Sequence, residues 1–220
     1  MSLTLYYHPL ASYCHKVLIA LYEKGIDFEK RLINLGAEAD RAELKALWPF
    51  CKFPVIHDGA RQRSVAETTI IIQYLDRFFP GDRTLIPGDW ERALDVHLWD
   101  RIFDNYVQGP MQEIVANQRR PDKIDLASHY ATLETAYRMI DERVATRTWI
   151  DGEDFGLAEC AAAPGLFYAS TLLPFPAECG HLNAYFDRLM QRPSVSRVID
   201  EAKPFFMYYP FVDAIPARFR

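Results

Sequence analysis

The hydrophobic pattern changes its period near residue 80, and this change limits the possible folds more than any other feature of the chain. Before it, short apolar or alternating segments typical of strands are interleaved with segments of helical spacing. The strand-like segments are 3–7, 28–33, 54–57 and 62–65, and the helix-like segments are 12–24, 39–47 and 67–79. The first part of the chain is therefore predicted to fold in the order βαβαββα.

A segment rich in proline and glycine, PGDRTLIPG at residues 80–88, ends this part and is typical of a linker. Helical spacing dominates everything after it. We predict a βαβαββα domain at 1–80, a linker at 81–88 and an all-helical domain at 89–220. The predicted helices are 90–118 with a bend at Gly109-Pro110, 124–145, an apolar and buried 157–172, 181–191 and 194–202.

The net charge and the spacing of the cysteines limit the classes of partner and the cellular location that we expect. The formal net charge is −5, which gives no reason to expect a nucleic-acid partner. No apolar run approaches the ~18 residues of a membrane span, and the N-terminus has no signal-peptide pattern. The four cysteines lack the spacing of a metal or C-x-x-C site. We expect free thiols, no metal, no membrane and a cytoplasmic location.

Four local motifs make the layout specific. They are Ser12-Tyr13-Cys14-His15, Lys52-Phe53-Pro54-Val55, Ala66-Glu67-Thr68 and, in the helical part, residues 151–159 (DGEDFGLAE). In this order and spacing the chain resembles the cytosolic glutathione transferases, in particular their serine-type, bacterial-like members. The resemblance implies an α/β thioredoxin-like N-terminal domain, an all-α C-terminal helical domain, glutathione as co-substrate without a metal, and a homodimer.

Ser12 precedes an apolar helical segment, so the residues alone indicate a helix N-cap. The resemblance implies that its hydroxyl also hydrogen-bonds the sulfur of glutathione, which makes Ser12 the catalytic residue. The two roles are compatible, because the N–H groups and dipole of a helix N-terminus favour an anion such as a thiolate.

Other residues near Ser12 are rivals for this role. Tyr6 and Tyr7 alternate on a strand, so at most one of them faces the site, and we expect both to be structural. Cys14 in the first helical turn would suit disulfide exchange if its pKa were low, but a small buried apolar residue is the simpler interpretation. His15 could be a base, and we expect it to be solvated.

Lys52, Phe53 and Pro54 form the second part of the implied site. X-Pro bonds are usually trans, whereas the resemblance implies a cis bond before Pro54. The backbone of Phe53 would then pair with the cysteinyl backbone of glutathione as an added strand does. Lys52 is either a solvated loop lysine or a partner for a glutathione carboxylate. Family members often carry glycine at the position of Cys51.

Glu67 and Thr68 open a helix directly after a strand. Ordinary capping explains an acid and a hydroxyl there. The resemblance implies binding of the γ-glutamyl end of glutathione, with its carboxylate at the helix N-terminus and Thr68 and its ammonium at Glu67. In the helical part, Gly156 and Glu159 replace the serine or threonine and the aspartate of the family's capping box.

The second substrate is expected to be a small hydrophobic electrophile, and Tyr13 and Tyr106 are the candidate pocket residues. Three alternatives remain open. The same site could serve a glutathione-dependent disulfide reductase or peroxidase, or a zeta-like isomerase. The chain could also be a non-catalytic binding module with a glutathione-transferase fold.

Overall fold

The computed structural model describes residues 3–81 and 83–220. The chain divides into two compact units, the first ending at Leu85 and the second beginning at Ile86. This division falls within the segment 81–88 that the sequence predicts as a linker.

The first unit is a thioredoxin-like domain with the element order βαβαββα. Its four-stranded sheet has the order β2-β1-β3-β4, with β1 parallel to β2 and antiparallel to β3, and β3 antiparallel to β4. The elements are β1 (Leu3–Tyr7), α1 (Ser12–Glu23), β2 (Glu29–Leu32), α2 (Glu38–Leu47), β3 (Val55–Asp58), β4 (Arg63–Ala66) and α3 (Thr68–Phe78).

The observed strands differ from the predicted ones by one residue at some of their ends. The central strand β1 agrees with its predicted bounds and buries Leu3 and Leu5. The edge strand β2 covers only Glu29–Leu32 of the predicted 28–33, and β4 is shifted by one residue. The central strand β3 is also shifted by one residue, from the predicted 54–57 to Val55–Asp58, because Pro54 has no N–H to donate to the sheet.

Opposite faces of the sheet are covered by different helices. One cluster, around Ile33, Leu44 of α2 and Val55, is fully buried and also packs Tyr6 and Phe53. Helix α1 is buried over most of its length and packs against α3. Since neighbouring strand residues point to opposite faces, Tyr7 lies on the face away from α2.

Within its described residues, the second unit is built from helices and has no β-strand beyond an isolated bridge between Trp149 and Gly152. Its helices are α4 (Trp90–Ile102), α5 (Gly109–Asn117), α6 (Ala127–Val144), α7 (Leu157–Ser170), α8 (Gly180–Gln191) and α9 (Pro193–Ala202). Helix α7 is buried from Leu157 to Ala169, as predicted for the centre of this domain.

The predicted helix 90–118 is interrupted one turn earlier than expected. A π-helical segment, Phe103–Gln108, separates α4 from α5, and the N–H of Gly109 donates to the carbonyl of Asp104 five residues before it. Pro110 has no N–H and cannot donate to the carbonyl four residues before it. The wider π-helical turn accommodates the missing N–H of Pro110. The helix is therefore disturbed in the turn before Gly109-Pro110 and not at these two residues.

Glu159 holds the N-terminus of α7 in place of a full capping box. Its carboxylate accepts from the backbone N–H of Gly156 at 2.9 Å and of Ile150 at 2.7 Å, and from the Tyr185 hydroxyl at 3.2 Å. Glycine has no side chain to return a bond, so only half of the capping box is formed. The expectation that Glu159 reaches the cap N–H is confirmed.

The aromatic C-terminal segment is part of the core of the second unit. Phe206 and Phe219 both contact the ring of Phe167 in α7, with ring centroids 6.1 Å and 5.5 Å away. The hydroxyls of Tyr209 and Thr171 lie 2.7 Å apart. Among the described residues, no helix has the length and apolar character needed to cross a membrane.

Candidate functional site

Two lysines show that α1 and α3 run side by side in the same direction. Lys16 Nζ lies 3.3 Å from the Thr69 hydroxyl, and Lys24 Nζ lies 2.8 Å from a carboxylate oxygen of Asp76. The two contacts have sequence separations of 53 and 52 residues. A nearly constant offset requires parallel helices, so the N-termini of α1 and α3 lie at the same end of the unit. Both present N–H groups and a positive dipole end there.

Ser12 is the first residue of α1, not its N-cap. Ala11 occupies the cap position, with an extended backbone at φ −82° and ψ 114°. The prediction that Ser12 caps the helix is therefore wrong by one residue, because the chain enters the helical conformation at Ser12 itself. Its side chain lies within the first turn and is 5% exposed.

Cys14 and His15 are both buried in α1. Burial raises the pKa of the Cys14 thiol to about 12, which leaves almost no thiolate near neutral pH. Cys14 thus behaves as a small core residue. His15 is 1% exposed and its Nε2 contacts the carbonyl of Pro9, so the expectation of a solvated histidine is wrong. The ring turns inward because that carbonyl, in the loop before α1, provides a hydrogen-bond partner.

The tyrosines of β1 differ in their surroundings. Tyr6 packs into the cluster with Leu44 and Val55 on the α2 side of the sheet, and burial raises the pKa of its phenol. It is a structural residue, as the sequence predicts. Tyr7 lies on the opposite face and is half-buried, and Tyr13, one residue into α1, is also half-buried.

His8 joins the loop before α1 to the loop before β3. Its ring stacks on that of Phe53, with centroids 6.0 Å apart and an angle of 18° between the planes. Its carbonyl accepts from Ala11 N–H at 3.0 Å. Burial lowers the pKa of His8, so the ring is predominantly neutral near pH 7. Nothing in the sequence marked this histidine, because its partner is 45 residues away.

The loop that carries Lys52 and Phe53 has the geometry that the resemblance implied at Pro54. The Phe53-Pro54 peptide bond is cis. Lys52 is exposed, and Phe53 is half-buried directly before β3. Cys51, where family members often carry glycine, has a positive φ of 51° and is half-buried against the cluster around Leu44.

Glu67 has an unusual backbone conformation at the start of α3. It is the N-cap residue, with φ 67° and ψ 116°, and its side chain is exposed. Thr68, the first helical residue, is 7% exposed. Among the described non-glycine residues only Cys51, Gln62 and Glu67 have positive φ. Strained residues of this kind concentrate at functional sites.

Tyr106 belongs to the second unit and is 54% exposed on the π-helical segment. In the same region of the chain, the buried carboxylates of Asp100 and Asp104 share the guanidinium of Arg101. The described residues contain no group of three histidine, cysteine, aspartate or glutamate side chains placed to hold a metal ion.

Comparison with known proteins agrees with this architecture. The sequence matches the glutathione S-transferase N-terminal domain over residues 5–83 and the glutathione S-transferase C-terminal domain over residues 106–193. These two matches include most of both units. The chain belongs to the cytosolic glutathione S-transferase family.

Individual relatives are distant but cover nearly the whole chain. A stringent starvation protein A homolog of Haemophilus influenzae is 28% identical and covers 92% of each chain. The glutathione S-transferase GstB of Escherichia coli is 24% identical over 84% of this chain and 91% of its own. A Methylobacillus flagellatus glutathione S-transferase, solved with glutathione bound, superposes with a TM-score of 0.80 at 25% identity, covering 89% of this chain and 98% of that one.

Proposed function

We propose that this chain is a glutathione transferase whose glutathione site is formed by the adjacent N-termini of α1 and α3. The observation that carries the proposal is the parallel register of these helices, which brings Ser12 and Thr68 to the same end of the first unit. Glutathione carries at its centre a thiol that ionises to a thiolate, and a carboxylate at its γ-glutamyl end. Two neighbouring helix N-termini offer an anion site for each.

The sulfur is proposed to lie at α1, where it accepts a hydrogen bond from the Ser12 hydroxyl. A hydrogen bond to a charged group contributes about 1.5–3 kcal/mol. At about 1.36 kcal/mol per pKa unit, this lowers a thiol pKa from about 8.5 to roughly 6.5–7.5. A large share of the bound sulfur is then ionised near neutral pH. The thiolate attacks the electrophile, a C–S bond forms, and the leaving group departs with its electron pair.

The γ-glutamyl end is proposed to bind at α3. Its carboxylate meets the first N–H groups of the helix and the Thr68 hydroxyl, and its ammonium meets the carboxylate of Glu67. The backbone conformation of Glu67, with φ 67°, directs the chain into α3 at this point. Backbone strain at this position is consistent with a binding role for the Glu67 side chain, because strained residues concentrate at functional sites.

The middle of the tripeptide is proposed to pair with the backbone of Phe53, and Lys52 to meet a glutathione carboxylate. The stacking of Phe53 on His8 supports this arrangement, because it ties the loop before β3 to the loop that leads into α1 and Ser12. Lys52 is exposed, so its amino group can reach a ligand carboxylate from the solvent side.

The electrophile is proposed to be small and hydrophobic, with Tyr13 and Tyr106 as residues that contact it. The proposed assembly is a homodimer, and the proposed location is the cytoplasm. Among the alternatives, a disulfide reductase that uses Cys14 is disfavoured by the burial and high pKa of that thiol.

A non-catalytic binding module is the second candidate, because a relative with 92% mutual coverage carries a name that describes no transferase activity. The two candidates separate in one experiment. Thermal unfolding is followed with and without glutathione, and the conjugation rate is then measured with a panel of aryl halides and epoxides. At 100 times its Kd, glutathione adds about 2.7 kcal/mol to the free energy of unfolding. Binding with turnover supports the transferase, and no stabilisation at millimolar glutathione supports the binding module.

A further inference from the structure

A buried lysine in α1, one helical turn after Ser12, has no role in the chemistry proposed above. Lys16 is 0% exposed, although lysine is among the residues least often buried completely. It is the fifth residue of α1, four positions after Ser12, so the two share one face of the helix. Helical side chains lean toward the N-terminus, which carries the lysine chain back toward the turn that contains Ser12.

A hydrogen bond to α3 positions the charged end of this side chain. Lys16 Nζ donates to the hydroxyl of Thr69 at 3.3 Å. Thr69 is the second residue of α3 and follows Thr68, the proposed carboxylate ligand. The amino group therefore lies at the first turn of α3, whose N-terminus already favours anions.

We infer that Lys16 is a positioning residue of the glutathione site, which supplies buried positive charge to the sulfur anion at Ser12 and holds the start of α3 through Thr69. This inference rests on the proposed function. A buried charge is screened far less than a surface charge, so it acts on an anion several ångströms away without touching it.

The neighbouring Lys24 provides a matched control. It is the C-cap residue of the same helix, is 8% exposed, and forms an ion pair with Asp76 of α3 at 2.8 Å. Both lysines join α1 to α3, but Lys24 does so at the opposite end from Ser12. Loss of either should cost stability, and only loss of Lys16 should affect the bound sulfur.

The experiment measures the thiol pKa of bound glutathione from the ultraviolet absorbance of the thiolate, together with the glutathione Kd, in the full chain. The variants are Lys16→Met, Lys16→Arg and Lys24→Met, and Lys16→Gln is used if the methionine variant does not fold. We expect Lys16→Met or Lys16→Gln to raise the thiol pKa by roughly one unit, which is about a tenfold fall in the ratio of thiolate to thiol. Lys16→Arg should restore most of the shift, and Lys24→Met should leave it unchanged.

The possible outcomes separate this inference from the proposed function. If wild-type protein lowers the thiol pKa and Lys16→Met lowers it equally, Lys16 has no electrostatic role and the inference fails alone. If Lys24→Met raises the pKa as much as Lys16→Met, the effect is one of helix packing and the inference also fails. If wild-type protein binds no glutathione, both fail together.

Discussion

The amino group of Lys16 lies 3.3 Å from the hydroxyl of Thr69, a residue 53 positions later in the chain. This contact places the first turns of α1 and α3 next to each other. Because each helix N-terminus favours negative charge, the pair forms a site suited to a ligand with two separated anionic groups.

We expect Glu67 to lower the free energy of unfolding through its backbone strain and to strengthen glutathione binding through its carboxylate. Its positive φ of 67° costs a non-glycine residue about 1–3 kcal/mol, and glycine removes most of that cost. We expect Glu67→Gly to raise the free energy of unfolding by about 1 kcal/mol and to weaken glutathione binding about tenfold or more. Urea denaturation and calorimetric titration measure the two effects.

Glu67→Gln is the matched control for this change, because it keeps the backbone strain and the side-chain length and removes only the charge. It should weaken binding without a gain in stability. A clear loss of stability in Glu67→Gly would show that the backbone at this position is not strained.

The cysteines are expected to differ in reactivity according to burial. Cys14, Cys160 and Cys179 are buried, and Cys51 is half-buried. Iodoacetamide on the native protein should therefore alkylate Cys51 first, as followed by peptide mass spectrometry. Cys14→Ala should leave any glutathione-dependent disulfide reduction unchanged, because burial raises the pKa of this thiol to about 12. Early alkylation of Cys14, or loss of reductase activity in the variant, would restore Cys14 as a redox residue.

Glu159 is expected to make the second unit less stable as pH rises. Burial raises its pKa from 4.5 to about 7, although four hydrogen bonds, three from backbone N–H groups and one from Tyr185, oppose this. The folded protein then holds the proton more tightly than the unfolded chain. The stabilising contribution is complete below pH 4.5, falls between pH 4.5 and 7, and is lost above the folded pKa.

Glu159→Gln isolates this contribution because it cannot titrate. The difference in unfolding free energy, wild type minus variant, should fall by about 3 kcal/mol as pH rises from 4.5 to 7.5. Urea titrations at a series of pH values measure it. A difference that does not change with pH would mean that Glu159 is ionised throughout this range.

Much of the fold could be predicted from the sequence because its signals are local. The change of hydrophobic period defined the two parts of the chain, and the order βαβαββα follows from segments of 4–12 residues. The buried α7 was evident from its apolar composition. Local signals did not locate the start of α1 to the residue, because Ala11 takes the cap position that was expected for Ser12.

The remaining features depend on contacts between distant parts of the chain. The stacking of His8 on Phe53, the burial of His15 and the Lys16–Thr69 contact have no signature in the neighbouring sequence. The π-helical segment before Pro110 is a local feature, but the sequence indicates only that the helix is disturbed and not where. The roles of Ser12, Lys52, Phe53, Glu67 and Thr68 in binding stay predictions.

The most direct test concerns the sulfur at Ser12. The thiol pKa of bound glutathione is measured by thiolate absorbance in wild type, in Ser12→Ala and in Ser12→Thr, which keeps the hydroxyl. We predict a pKa of roughly 6.5–7.5 in wild type, a rise of about 1–2 units in Ser12→Ala, and a value near that of wild type in Ser12→Thr. An unchanged pKa in Ser12→Ala would contradict the proposed activation of glutathione by this serine.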